Sequence, residues 1–160
     1  MTIDSREFRD ALGCFATGVT VITANPEGQQ PFGMTVNSFA SVSLDPPLVL
    51  WSLQNNSEMF DVWERASTFG VNILRADQQD LSNLYARKGD HLLEADHFVA
   101  GVTGVPVLPD SLVSMECEVE ARYPGGDHTI IVGRVTAMEN RDNGEPLLFC
   151  AGGYRELART

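Results

Sequence analysis

Residues 113–122 alternate without a break. Val113, Met115, Cys117, Val119 and Ala121 fall on one parity, and Ser114, Glu116, Glu118, Glu120 and Arg122 on the other. A period of two puts successive side chains on opposite faces of a sheet, so this segment predicts a half-buried β-strand. Pro124-Gly125-Gly126-Asp127 follows as a turn. His128 to Met138 and Leu147 to Ala151 then read as further strands, with no helix between them. Strands joined by tight turns pair antiparallel, because a parallel pair needs a crossover of a dozen residues or more. A βαβ unit is therefore not the natural reading. Closing the sheet would remove its exposed edges.

The N-terminal half interleaves helices with strands. Asp4-Ser5-Arg6-Glu7 has the spacing of a capping box, and Phe8, Leu12 and Phe15 recur on one helix face, with Gly18 as the stop. Val19 to Ala24 is a β-branched run suited to a buried strand, and Asn25-Pro26-Glu27-Gly28 is a turn. Met34 to Ser43 reads as one strand, rich in Thr, Asn and Ser. Pro46-Pro47 breaks the chain before a strand from Leu48 to Leu53. Ser57 is placed to cap a short helix carrying Met59, Phe60 and Trp63. Phe69 to Leu74 is another strand, and Asp77 is placed to cap a helix with Leu81, Leu84 and Tyr85 on one side. Residues 89–112 read as loop with short pieces of structure. The expectation is one domain over residues 1–160, mainly β.

Charge and motifs narrow the function. The net charge of −11 repels phosphate backbones, which argues against nucleic acid as a partner. An anionic ligand would need a local donor cluster, and Arg87-Lys88, with the chain's single lysine, is the one adjacent basic pair. No apolar run approaches the ~18 residues of a membrane span. The charged N-terminus lacks a signal-peptide segment, so the expected location is the cytoplasm. Cys14, Cys117 and Cys150 are an odd, widely spaced set in apolar stretches and read as buried thiols. GxGxxG, the P-loop, GxSxG and HExxH are all missing. Asp90-His91, Glu94 and Asp96-His97 contain metal-ligand types. Their spacing enforces no site, so they read as a solvated acidic loop and no metal is expected.

Gly33 to Ser43 is the most informative polar stretch. A core strand keeps hydroxyls and an amide only where something satisfies them. An edge strand with a wet face explains the composition equally well. As a ligand platform, its backbone would meet the uracil-like edge of a planar cofactor, and its hydroxyls would donate to phosphate.

GVTVITA, GMTVNSFASVSLDPPLVLWSL, GDHTIIVGRV and the closing GGYREL together resemble the flavin reductase family of the FMN-binding split-barrel type, over about Phe8 to Leu157. The resemblance implies a Greek-key antiparallel split β-barrel with flanking short helices. It implies a homodimer with flavin near the subunit interface. It also implies hydride transfer from NADH or NADPH to FMN or FAD, and delivery of reduced flavin to a partner flavin-dependent monooxygenase. By position, Thr35, Val36, Asn37, Ser38, Ala40 and Ser41 match the segment that contacts the isoalloxazine and ribityl chain. Ser52, Leu53, Gln54 and Ser57 match the ribityl-phosphate side, and Arg87 and Lys88 match a cation near the phosphate. His128 matches a nicotinamide-binding position, where it acts as a positioning group in the hydride-transfer step. Tyr154 and Arg155 match the C-terminal segment near the same site. Plainer readings stand beside these. Thr35 and Ser41 can pair across strands, Ser57 can cap a helix, and His128 can be a surface residue after a turn. Trp51 and Trp63 read as core or interface packing. The competing classes are a pyridoxamine-phosphate-type flavin oxidase, a non-enzymatic flavin or haem carrier, and a structural barrel with a degenerate site.

Overall fold

The computed structural model describes residues 3–27, 29–89, 91–142 and 144–158. Its centre is the hairpin of β9 (Val113–Gly125) and β10 (His128–Asn140). The loop is two residues long, Gly126-Asp127, and Gly126 alone takes a positive φ, at 73°. That is the pattern of a type II′ turn, whose twist matches that of the strands it joins.

Around this hairpin come β2 (Thr20–Ala24), β3 (Phe32–Val36), β4 (Ala40–Leu44), β5 (Pro47–Gln54) and β6 (Thr68–Ile73). They form one seven-stranded sheet in the order β3-β2-β6-β9-β10-β5-β4, antiparallel at each pairing. β3 and β4 are its opposite edges, yet only Asn37 to Phe39 separate them in sequence. Four residue steps span at most about 14 Å, so the sheet must curl until its edges approach. Ser38 ties this crossing to β5: its hydroxyl donates to Ser52 O at 3.2 Å and accepts from Ser52 N–H at 3.0 Å.

The barrel interior is filled with aromatic rings. Trp63 meets Phe32 at 4.7 Å and Trp51 at 4.9 Å between centroids, edge to face in both cases. Both tryptophans are buried, as the packing reading expects. At Gly133 of β10 a Cβ would collide with the Phe69 ring, so only glycine lets that ring close on the sheet. A second core lies outside the barrel wall, built on Val19, Val21, Leu74, Tyr85, Leu108 and Leu147. Flanking pieces are α1 (Ser5–Gly13), α2 (Phe60–Arg65) and α3 (Gln79–Tyr85). A small sheet joins β1 (Thr17–Gly18), β11 (Leu148–Cys150) and β12 (Gly153–Arg155). β7 (Val99–Ala100) and β8 (Pro106–Val107) pair within the long loop. No helix among the described residues is long and apolar enough to cross a membrane.

Several expectations are corrected. Met34 to Ser43 is not one strand, because no single neighbour can pair with both edges of the sheet. α1 ends at Gly13, since Thr17–Gly18 is taken into pairing with β11. Phe8 and Leu12 on α1 stay 54% and 59% exposed, and Phe15, beyond its end, 78%. Ser57 does not cap α2. It sits in the preceding turn, where its hydroxyl accepts from Met59 N–H at 3.3 Å. Asp77 lies inside a 3₁₀ turn and pairs with Arg75 at 2.8 Å instead of capping α3.

The polar parity of β9 is not uniformly wet. Ser114 and Glu116 are buried, Ser114 with its hydroxyl 3.0 Å from Ser111 Oγ and Glu116 under residues 101–103. The Glu116 carboxylate accepts from Val102 N–H at 2.8 Å and Thr103 N–H at 2.7 Å. Of the cysteines, Cys117 is buried, Cys150 is half-buried and Cys14 is exposed. Gly28 and Asp90, which belong to the expected turn and acidic cluster, lie outside the described residues. Glu94, Asp96 and His97 each bring a ligand atom within 4.8 Å of the others, but Glu94 and Asp96 are exposed. His91 lies apart from them.

Candidate functional site

The end of β3 opens into a groove of three connected cavities. The first, about 290 Å³, is lined by Thr35, Gln54, Ser57, Arg87, Lys88 and His91, among others. The second, about 210 Å³, shares Thr35 and Ala86 with it and adds Val36, Asn37, Ser82 and Tyr154. The third, about 850 Å³, shares Asn37 and Phe149 with the second and is walled by Leu12, Phe15 and Ser38. Residues from β3, the 54–58 turn, the end of α3, β11, β12 and α1 thus meet along one path. Positions 35, 54, 57, 87 and 88 are remote in sequence and adjacent here.

The first cavity is the cationic end. Neither Arg87 nor Lys88 forms an ion pair among the described residues. Glu58 also lines it, with its carboxylate accepting from Gly89 N–H at 2.9 Å. Ser57 has its oxygen engaged as an acceptor, which leaves its O–H free to donate.

A polar network holds the middle of the groove. Thr35 donates to Ser82 O at 2.7 Å. Tyr154 donates its one hydroxyl proton to Asn83 Oδ1 at 2.9 Å, so Ser82 Oγ, 2.8 Å away, donates to it. β12 is thereby pinned to α3. The Tyr154 ring lies edge-on to Phe149 at 5.5 Å. Sequence reasoning missed Ser82, Phe149 and His91, because each reads locally as part of a helix face, a strand or a loop.

Not every expected residue joins the groove. Leu53 points into the barrel core, since the pleat that turns Ser52 and Gln54 one way turns Leu53 the other. Ala40 and Ser41 lie exposed on the far edge strand and line none of these three cavities. Arg155 is exposed and donates to Tyr154 O at 2.8 Å.

His128 stands at the base of the β9–β10 hairpin, in register with Gln54 of β5. Cross-strand partners share a face of the sheet, so His128 flanks the cationic cavity through Gln54. Its Nδ1 is 2.7 Å from Asp127 Oδ1. An ionised carboxylate only accepts, so Nδ1 carries the proton and Nε2 is the nitrogen left for a ligand. The same hydrogen bond from His128 is the main reason that the Asp127 carboxyl is held below the usual carboxylate range. Asn55 clamps the hairpin on its other side. Its side chain donates to Gly126 O at 3.2 Å and accepts from Thr129 Oγ1 at 2.9 Å, and its backbone N–H donates to Asp127 O at 2.9 Å.

Comparison with known proteins gives the family. The sequence model of a family described as "Flavin reductase like domain" matches residues 12–158. The FMN reductase (NADH) SmoA of Agrobacterium fabrum is 49% identical over 157 residues, which is 98% of this chain and 88% of SmoA. HsaB of Rhodococcus jostii, the reductase subunit of a flavin-dependent monooxygenase, is 37% identical over 95% of this chain and 77% of its own length. Among solved structures, the NADH:FAD oxidoreductase SgcE6 of Streptomyces globisporus C-1027, in complex with NAD and FAD fragments, superposes with a TM-score of 0.90. Its identity is 34%, over 99% of this chain and 97% of that one.

Proposed function

The chain belongs to the flavin reductase like family, and we infer that it passes hydride from NADH to a flavin, which then leaves for a partner flavin-dependent monooxygenase. The observation that carries this reading is the groove. In a chain of net charge −11, its only lysine and the adjacent arginine converge with Ser57 and Gln54 at one end, free of ion pairs among the described residues. The opposite end presents Leu12, Phe15 and Phe149 as an apolar wall, with Arg9 and Asp10 also lining it. A cationic end and an apolar end joined by polar strand residues fit a phosphorylated flavin.

Nicotinamide and flavin, when both are bound, would supply the hydride chemistry themselves. The residues of the chain bind and orient. Thr35, Val36, Asn37 and Ser38 form the wall that the ring and ribityl chain lie against. Ser57, Arg87 and Lys88 hold the phosphate. Ser41, on the far edge strand, is outside that cluster. With Nδ1 committed to Asp127, neutral His128 offers Nε2 as an acceptor for the carboxamide N–H of nicotinamide. Protonated, it becomes a donor to the pyrophosphate. Tyr154, held by Ser82 and Asn83, and Arg155 complete the C-terminal side. No strong acid or base is required, which suits a groove whose chemistry is positional.

A second copy of the chain covers the exposed face of α1, giving a two-fold dimer. Its interface is expected to bury about 2,000 Å² or more. The expected location is the cytoplasm.

The test is NADH consumption by the purified protein with FMN, FAD and riboflavin in turn, each against a blank without flavin. Turnover with at least one is expected. Saturable flavin binding without NADH consumption would identify a carrier and overturn the reading. His128→Ala is expected to keep flavin affinity and lose about tenfold to a hundredfold in flavin reduction, followed by stopped flow. Parental kinetics in that variant would return His128 to a surface role.

A further inference from the structure

His91 is a buried polar residue on the wall of the cationic cavity. The residue is only 9% exposed, and its Nδ1 is buried without a hydrogen-bond partner among the described residues. Its backbone is committed, since His91 O accepts from Gly33 N–H at 2.8 Å and so anchors the loop to β3. The imidazole lines the cationic cavity with Arg87, Lys88, Ser57 and Gln54. Nδ1 is sealed in the cavity wall, so Nε2 is the ring nitrogen left for a ligand in the cavity.

The tautomer follows from the same observation. A buried N–H without an acceptor is costlier and rarer than an under-used acceptor. The ring proton therefore belongs on Nε2, and the ring nitrogen that remains for the cavity is a donor. The charged side chains facing that cavity are Arg87, Lys88 and Glu58, two cations and one anion. Glu58 opposes any anion that the two cations attract. A third donor, on a ring held in the cavity wall, would add a hydrogen bond of fixed direction to those of the two cations.

We propose that His91 is a further ligand for the flavin phosphate, donating from Nε2 beside Arg87 and Lys88. This rests on the flavin reading of the groove. It adds a residue that makes the chain prefer phosphorylated flavin over riboflavin.

The experiment is a pair of titrations, FMN and riboflavin, on the parental protein, on His91→Leu and on His91→Gln. His91→Leu removes the donor and keeps apolar bulk. His91→Gln keeps an amide donor near the position of Nε2. FMN affinity should fall about tenfold in the leucine variant, with riboflavin affinity unchanged within about twofold. The glutamine variant should recover FMN affinity to within about threefold of the parent. Equal losses for both flavins, or no loss for either, would overturn the proposal, since a wall residue has no reason to discriminate phosphate. Failure of the parental protein to bind either flavin would overturn the flavin reading, and this inference with it. A measurement on the parental protein needs no variant. Of its three histidines, His91 should show imidazole resonances that move on titration with inorganic phosphate. Resonances that stay in place while phosphate competes with FMN would sink the proposal.

Discussion

β2 and α1 are near neighbours in the chain and opposites in burial. All five residues of β2 are buried. None of the nine residues of α1 is. Both carry an apolar pattern. Along β2, Ile22 and Ala24 face the aromatic core of the barrel, while Val21 faces the second core outside it. The strand is a wall between two cores, which is why it reads as a continuous apolar run and not as an alternation. Its polar residues are satisfied inside: Thr20 donates to Val36 O at 3.2 Å, and Thr23 bonds to Pro106 O and receives Asn72 Nδ2 at 3.2 Å. α1 has a well-made N-cap, with Asp4 Oδ1 accepting from Arg6 N–H at 2.9 Å and Glu7 N–H at 3.0 Å. It also has an apolar face, which the described residues leave exposed. Patterning declares that a face wants burial. It does not say whether the cover comes from the same chain or from another.

The largest effect should come from cutting into the wall. Ile22→Ala is expected to cost about 2–5 kcal/mol of folding stability. Urea unfolding at two protein concentrations should show the same loss at both. A concentration-dependent loss would mean that β2 too is stabilised by assembly, and the contrast with α1 would collapse.

Leu12→Ser on α1 should act on association instead. Burying a leucine is worth about 1.5–3 kcal/mol, so the dimer dissociation constant should rise by at least about tenfold. Light scattering reads the shift, and circular dichroism should report an intact barrel. A variant that unfolds as Ile22→Ala does would break the comparison from the other side.

The smallest perturbation needs only a thiol reagent. Burial pushes the Cys117 thiol up to about 12. At pH 8 its thiolate fraction is then about one part in ten thousand, so it should label only when the barrel opens globally. Cys14, at the end of α1, is exposed and should label first. Its rate should fall as protein concentration rises if a second copy closes over α1. Mass spectrometry of partly labelled protein distinguishes the sites. Rapid labelling of Cys117 would show that the barrel interior opens locally.

The recurrent strands and their antiparallel order were legible because they depend on neighbours in sequence. Alternation from Val113 to Ala121, turn residues from Pro124 to Asp127 and a second long strand leave little choice but a hairpin, whose loop the structure narrows to Gly126-Asp127. The tryptophans were legible as core for a similar reason, being large apolar groups that a barrel of this size must bury. The candidate site was legible only through the likeness of whole segments to a known family. Nothing local about Ser57, Arg87 or Thr35 indicates that they meet. His91 was weighed only as a metal-ligand type in a loop that looks acidic and wet, whereas the fold buries it and bonds its carbonyl to Gly33 N–H, far away in the chain.

The sequence by itself therefore determined parity, turns and charge: which side chains share a face, where the chain reverses, and that any anion must be met by a few donors. Tertiary structure decided coverage. It buried Glu116 under residues 101–103 and divided the polar stretch at Asn37 between two sheet edges. It also drew residues 35, 54, 57, 87, 88 and 91 around one cavity. The physical reason is range. Backbone geometry propagates a period of two or a tight turn from one residue to the next, whereas burial is the sum of contacts made by segments that meet only after the sheet has curled.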